Sequence, residues 1–120
     1  MDIIKATVEK DDNILKYIKL IRKFDPSLSI GFIKDRIENG EPVIIFDMDA
    51  NDWIYMEDMT QEKWQLSLYE FLDTLQKSGA VLHIISESDI TGSRSVKLME
   101  LRAMIRRNKE IMDDVEKYPD

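Results

Sequence analysis

Asp47, Asp49, Asn51 and Asp58 stand at positions one, three, five and twelve of a loop, the spacing with which oxygen ligands wrap a hard cation such as calcium. Two residues depart from that pattern. Position six is Asp52, where such loops take glycine for a sharp turn. Position twelve is Asp58, a shorter reach than the usual glutamate, and the segment follows a strand-like run instead of a helix. No metal ligands and no cofactor are assigned on this basis, and the segment reads as an acidic turn. His83 is the only histidine, inside the apolar run Val81 to Ile85, where alternation sets it opposite Leu82 and Ile84 and toward solvent. With no cysteine in the chain and no evident serine partner, it makes a poor general base. No catalytic residue is assigned, and the expectation is a protein that is not an enzyme.

A different chemistry gathers in the same stretch. Trp53, Tyr55 and Met56 lie among Asp49, Asp52 and other carboxylates. Aromatic and methionine side chains ringed by acids suit an anchor for a basic protein partner. Asp49, Asp52, Trp53 and Tyr55 are therefore candidate partner-binding residues.

The elements that position these groups follow from periodicity. Ile3 to Val8 alternates as a first strand. Asp11, Asp12 and Asn13 offer N-caps to a helix whose stripe runs through Ile14, Leu15, Ile18, Ile21 and Phe24, widened by Tyr17 and Leu20. Asp25-Pro26 stops it, Ser27 or Ser29 caps a second helix, and Asn39-Gly40 closes that one. Val43 to Phe46 reads as a second strand buried on both faces, and Trp53 to Met56 as a short edge strand. Thr60 caps a third helix that presents Trp64, Leu68, Phe71, Leu72 and Leu75 and ends at Ser78-Gly79, and Val81 to Ile85 is the last strand. Ile90 to Arg94 reads as a polar linker, followed from Ser95 to Tyr118 by a helix carrying Leu98, Leu101, Met104, Ile105, Ile111, Met112 and Val115, of which Leu98, Leu101, Ile105, Met112 and Val115 fit one stripe. The expected fold is α+β. A small three- to four-stranded sheet carries helices on one face in the order β-α-α-β-(β)-α-β, plus a C-terminal helix. Residues 1–90 form the α+β domain and 91–120 a C-terminal helical extension.

Ile18-Lys19-Leu20-Ile21-Arg22, a short turn, and then Leu28 to Glu38 resemble the helical hairpin of the C-terminal domain of the bacterial ribosomal stalk protein. Glu70 to Leu82 is similar to that family's last helix, small-residue turn and final strand, so the likeness spans roughly residues 3 to 86. The Clp protease adaptor shares that fold. The resemblance implies a hairpin that binds a protein partner through Lys19, Arg22 and Lys34, with Gly31 at the turn. The family's N-terminal dimerisation region has no counterpart in these residues. Asp47 to Asp58 is an insertion, and Phe24 and Phe32 replace smaller residues where partner contact is expected. Val43 to Asp49 also resembles the first motif of haloacid-dehalogenase-type phosphatases, where one aspartate attacks phosphorus and the other serves the leaving group. That chemistry takes a Thr or Val at the place held by Asn51, and a larger doubly wound core.

Composition bounds the remaining classes. In 120 residues, 24 Asp and Glu face 17 Lys and Arg, for a net charge of −7 that repels nucleic acid and anionic membrane. The longest apolar run, Val43 to Phe46, is far below the ~20 residues of a membrane helix, and the absence of cysteine favours a reducing, cytoplasmic setting. The leading expectation is a non-enzymatic protein-interaction domain binding through the hairpin (14–38), the acidic aromatic insertion (47–58), or both. The alternatives are an immunity protein neutralising a basic bacterial toxin and a divalent-metal-dependent phosphatase-like enzyme. The expected state is a monomer, or a homodimer through the C-terminal helix.

Overall fold

The structure, a computed structural model, describes residues 3–50, 52–90 and 92–116, without the side chains of 52, 53, 112 and 114–116. The side chains of Asp52 and Trp53, together with Asn51, Met112, Val115 and Tyr118, thus lie outside the described residues. Along the chain come β1 (Ile3–Val8), α1 (Ile14–Phe24), α2 (Ile30–Glu38), β2 (Ile44–Asp47), a 3₁₀ turn (Asp52–Tyr55), α3 (Gln61–Lys77), β3 (Leu82–Ser88), β4 (Gly92–Val96) and α4 (Leu98–Glu116). The fold is α+β, with one antiparallel four-stranded sheet in the order β2-β1-β3-β4.

Strand alternation decides which sheet face the helices cover. Ile4, Ala6 and Val8 of β1, Ile44 and Phe46 of β2, Ile84 of β3 and Val96 of β4 are buried beneath them. Ile3, Lys5, Thr7, Ile45 and Ile85 point to the open face. On the covered face Tyr17, Ile21, Ile33, Ile37, Leu68, Leu72 and Leu75 complete the core. Burying each large apolar side chain contributes about 1.5–3 kcal/mol, which is why the stripes fix the helix orientations.

The helix ends follow local chemistry. Ser29 Oγ accepts the amide of Phe32 at 3.1 Å and Thr60 Oγ1 that of Lys63 at 3.2 Å, as the capping pattern predicts. Asn13 occupies the N-cap of α1 without a side-chain cap bond. Asp11 instead accepts the Asn13 amide at 2.7 Å and the Tyr17 hydroxyl at 2.8 Å. Gly40, at φ +66°, closes α2 in the left-handed region where a Cβ is disfavoured.

The structure corrects three expectations. Trp53 to Met56 is not an edge strand: Asp52 to Tyr55 form a 3₁₀ turn. Aromatic residues favour strands only where a ladder and a packing surface are offered, and here the chain leaves β2 in a turn anchored by buried Met48. The fourth strand comes instead from the stretch read as a linker. Gly92 to Val96 pairs with β3, although Val96 is its only buried side chain. Finally, β2 is buried on one face only. It is an edge strand, and Ile45 on its open face is 63% exposed.

The last helix packs within the chain. Leu101, Met104 and Ile105 are buried, α4 lies along α3, and Lys109 Nζ sits 3.3 Å from Glu62. The boundary expected at residue 90 falls in the turn of the β3–β4 hairpin. No helix among the described residues is long and apolar enough to cross a membrane.

Candidate docking groove

Between the α1–α2 turn and the acidic segment, the outer edge of β2 opens on a groove of about 760 Å³. Its apolar walls are Phe24, Leu28 and Phe32 from the hairpin, Met56 and Met59 from the segment, and Trp64 from α3. Consecutive residues Val43 to Asp47 form its floor, so the groove runs beside the strand edge itself.

Each wall is held by identifiable contacts. Phe24 stacks on Phe71 at 4.2 Å between ring centroids, and Phe46 on Trp64 at 5.0 Å. The turn between the helices is braced by Arg22 Nε, which donates to the Leu28 carbonyl at 3.2 Å, and by Asp25, which accepts the Ser27 amide at 3.1 Å. Phe32 remains 40% exposed, with the Arg36 guanidinium 4.9 Å over its ring.

The opposite wall is anchored at its base. Met48 is buried, and its carbonyl accepts a 2.9 Å hydrogen bond from Gln65 Nε2, itself a buried side chain of α3. Asn108 of α4 donates in turn to Gln65 Oε1 at 3.5 Å, the long limit for such a bond. Asp47 Oδ1 accepts the Asp49 amide at 2.9 Å, an Asx turn that bends the chain away from the sheet. Further along, Lys63 Nζ donates to the Asp58 carbonyl at 3.1 Å. Asp58 has φ +57°, a left-handed conformation that aspartate tolerates better than most residues. Beyond this point Tyr55 is 89% and Met56 45% exposed.

Of the residues singled out from sequence, Phe24, Phe32 and Met56 line this groove, whereas Lys19, Arg22, Gly31, Lys34, Asp49 and Tyr55 do not. Lys19, Arg22, Gly31 and Lys34 are exposed on the hairpin; Lys23, next to Arg22, and Phe32, next to Gly31, form part of the wall. Tyr55 projects to solvent beside Met56, which does line it. Asp49 lines a separate acidic recess with Asp47, Glu87 and Asp89, where the acidic segment meets the β3–β4 turn. Phe46 and Trp64 were legible only as strand and helix-stripe residues and Met59 carried no signal, because nothing local marks a side chain that is shared between a core and a groove.

The metal-like spacing of Asp47, Asp49 and Asp58 does not translate into convergence. Among the described residues no group of three or more histidine or carboxylate side chains is placed to hold a metal ion. His83 points to solvent, and its Nε2 lies 3.1 Å from Glu9. The Trp64 indole N–H is buried with no hydrogen-bond partner among the described residues.

No protein-family model matches the chain, and no curated protein or solved structure does either.

Proposed function

We propose that the chain is a non-enzymatic protein-interaction domain that docks its partner in the groove beside β2. The observation that carries this reading is the convergence of two regions on one apolar cleft. The hairpin contributes Phe24, Leu28 and Phe32, and the acidic segment contributes Met56 and Met59. Each region is a binding candidate from sequence, and the fold sets them on facing walls. Half-exposed aromatic and methionine side chains around a concave apolar surface are the usual make-up of an interface centre, with charges at the rim. On the hairpin side Lys23 supplies such a charge, and Arg22 braces the turn beside it. The likeness to the stalk-protein domain, whose hairpin binds protein partners, agrees with this placement.

The test is affinity capture from the cells that make the protein, with quantitative comparison of variants. Phe32→Asp and Met56→Asp, on opposite walls, are each expected to lose the same specifically captured protein. Leu15→Asp, at an exposed position of α1 that does not line the groove, is expected to keep it. A partner retained by both groove variants would sink the proposal.

A further inference from the structure

Building on the groove reading above, we infer that the occupant is an extended segment of another protein that pairs with β2 as a fifth strand. β1 pairs with β2 on one side, and among the described residues no strand pairs with it on the other. Antiparallel geometry turns alternate N–H and C=O groups of Ile44 to Asp47 outward along that edge. Edge strands in stable monomers are commonly blunted by lysine, by an inward charge or by a covering loop. β2 is short, at four residues, and follows Pro42, but it carries no lysine, its inward side chains are Ile44 and Phe46, and its floor is open to the groove. A backbone edge with an apolar trench beside it is what strand addition uses: main-chain bonds hold the guest, and every second guest side chain enters the trench.

The charge around the edge specifies the guest further. Asp25 and Asp47 line the groove, and Asp47 also joins Asp49, Glu87 and Asp89 in the recess at the end of β2. Among the described residues, Lys23 is the single cationic side chain on the groove wall. The guest segment therefore alternates apolar side chains, which meet Phe24, Phe32, Met59 and Trp64, and carries a lysine or arginine beside Asp47. A second copy of this chain fits less well, because two bodies of net charge −7 repel and β2 itself offers no cation.

A displayed library of random dodecapeptides, selected on the full chain and counter-selected on Met56→Asp, tests this directly. Enriched peptides are expected to place apolar residues at alternate positions and a lysine or arginine at one end. A synthetic copy of the leading peptide is expected to slow amide exchange of Ile44 to Asp47 by about tenfold or more. N-methylation of its β2-facing amides should weaken binding by about tenfold or more, and methylation of the alternate set should not. Apolar residues at helical spacing, acidic peptides, binding without slowed exchange, or no Met56-dependent peptide would each overturn strand addition. The groove reading is judged separately, by capture of the cellular partner. If that capture ignores Phe32 and Met56, the groove falls as well.

Discussion

At one edge of the sheet β2 presents Ile44, Ile45 and Phe46 beside an apolar groove, whereas at the other β4 presents Gly92, Ser93, Arg94 and Ser95. β4 is guarded by its own chemistry. Its exposed residues are polar, Arg94 lies 3.7 Å from Glu100 at the start of α4, and the same guanidinium reaches the Met104 sulfur at 3.7 Å. Behind it Val96, Leu101 and Ile105 are buried. Among the described residues the β2 edge has no such brace: the chain swings away through the Asp47 turn and leaves a trench. One edge carries polar side chains and a braced arginine, and the other is left apolar, the difference on which the proposed docking role rests.

The comparison separates substitutions that unfold the chain from those that empty the groove. Leu101→Ala, in the fully buried α3–α4 seam, is expected to cost about 2–5 kcal/mol in denaturant unfolding. Partner capture per folded molecule should stay unchanged. Gln65→Leu leaves the Met48 carbonyl unpaired and is expected to cost about 1–3 kcal/mol. Because that bond anchors the base of the acidic segment, capture should fall too, the one core change that reaches the groove. Ser29→Ala removes the cap of α2 for about 1 kcal/mol, read as a lower melting temperature. Lys19→Glu, Arg22→Glu and Lys34→Glu together should shift stability least, since exposed substitutions typically stay within about 0.5 kcal/mol each. Their effect on capture should be smaller than that of Met56→Asp. Capture lost on reversing these charges but kept in Met56→Asp would move the interface onto the outer hairpin face.

Away from both edges, Tyr17 gives a pH signature. Burial first, then the hydrogen bond to and the charge of Asp11, raise its phenol above the ordinary 10.0. The folded state therefore favours the protonated form. Its contribution is complete below pH 10 and is lost as pH rises through the higher folded value. Tyr17→Phe should flatten that alkaline decline in denaturant midpoint, and an unchanged slope would contradict the assignment.

Much of this was legible in the residues. The stripes of α1 and α3, the Ser29 and Thr60 caps and the Gly40 stop follow from local rules that the packed chain keeps. What sequence did not reveal depends on pairing at a distance. Gly92 to Val96 has a linker's composition and becomes a strand because β3 supplies the ladder. Trp53 to Met56 has a strand's composition and becomes a turn because Met48, held by Gln65, pulls the chain off the edge. The groove was half legible. Both walls were candidates, but their facing across β2 comes only from the sheet order, which places β2 outermost.

Ile45 and Ser95 allow the most direct measurement. The register sets them in one row on the open face, Ile45 beside Lys5, Lys5 beside Ile85 and Ile85 beside Ser95, with one residue at each edge. Both are exposed. A photo-crosslinking residue is placed at either position, and protein adducts are quantified in the producing cells. A dominant adduct is expected from position 45, at about tenfold or more the yield from position 95. Equal yields, or a dominant adduct from position 95, would contradict it.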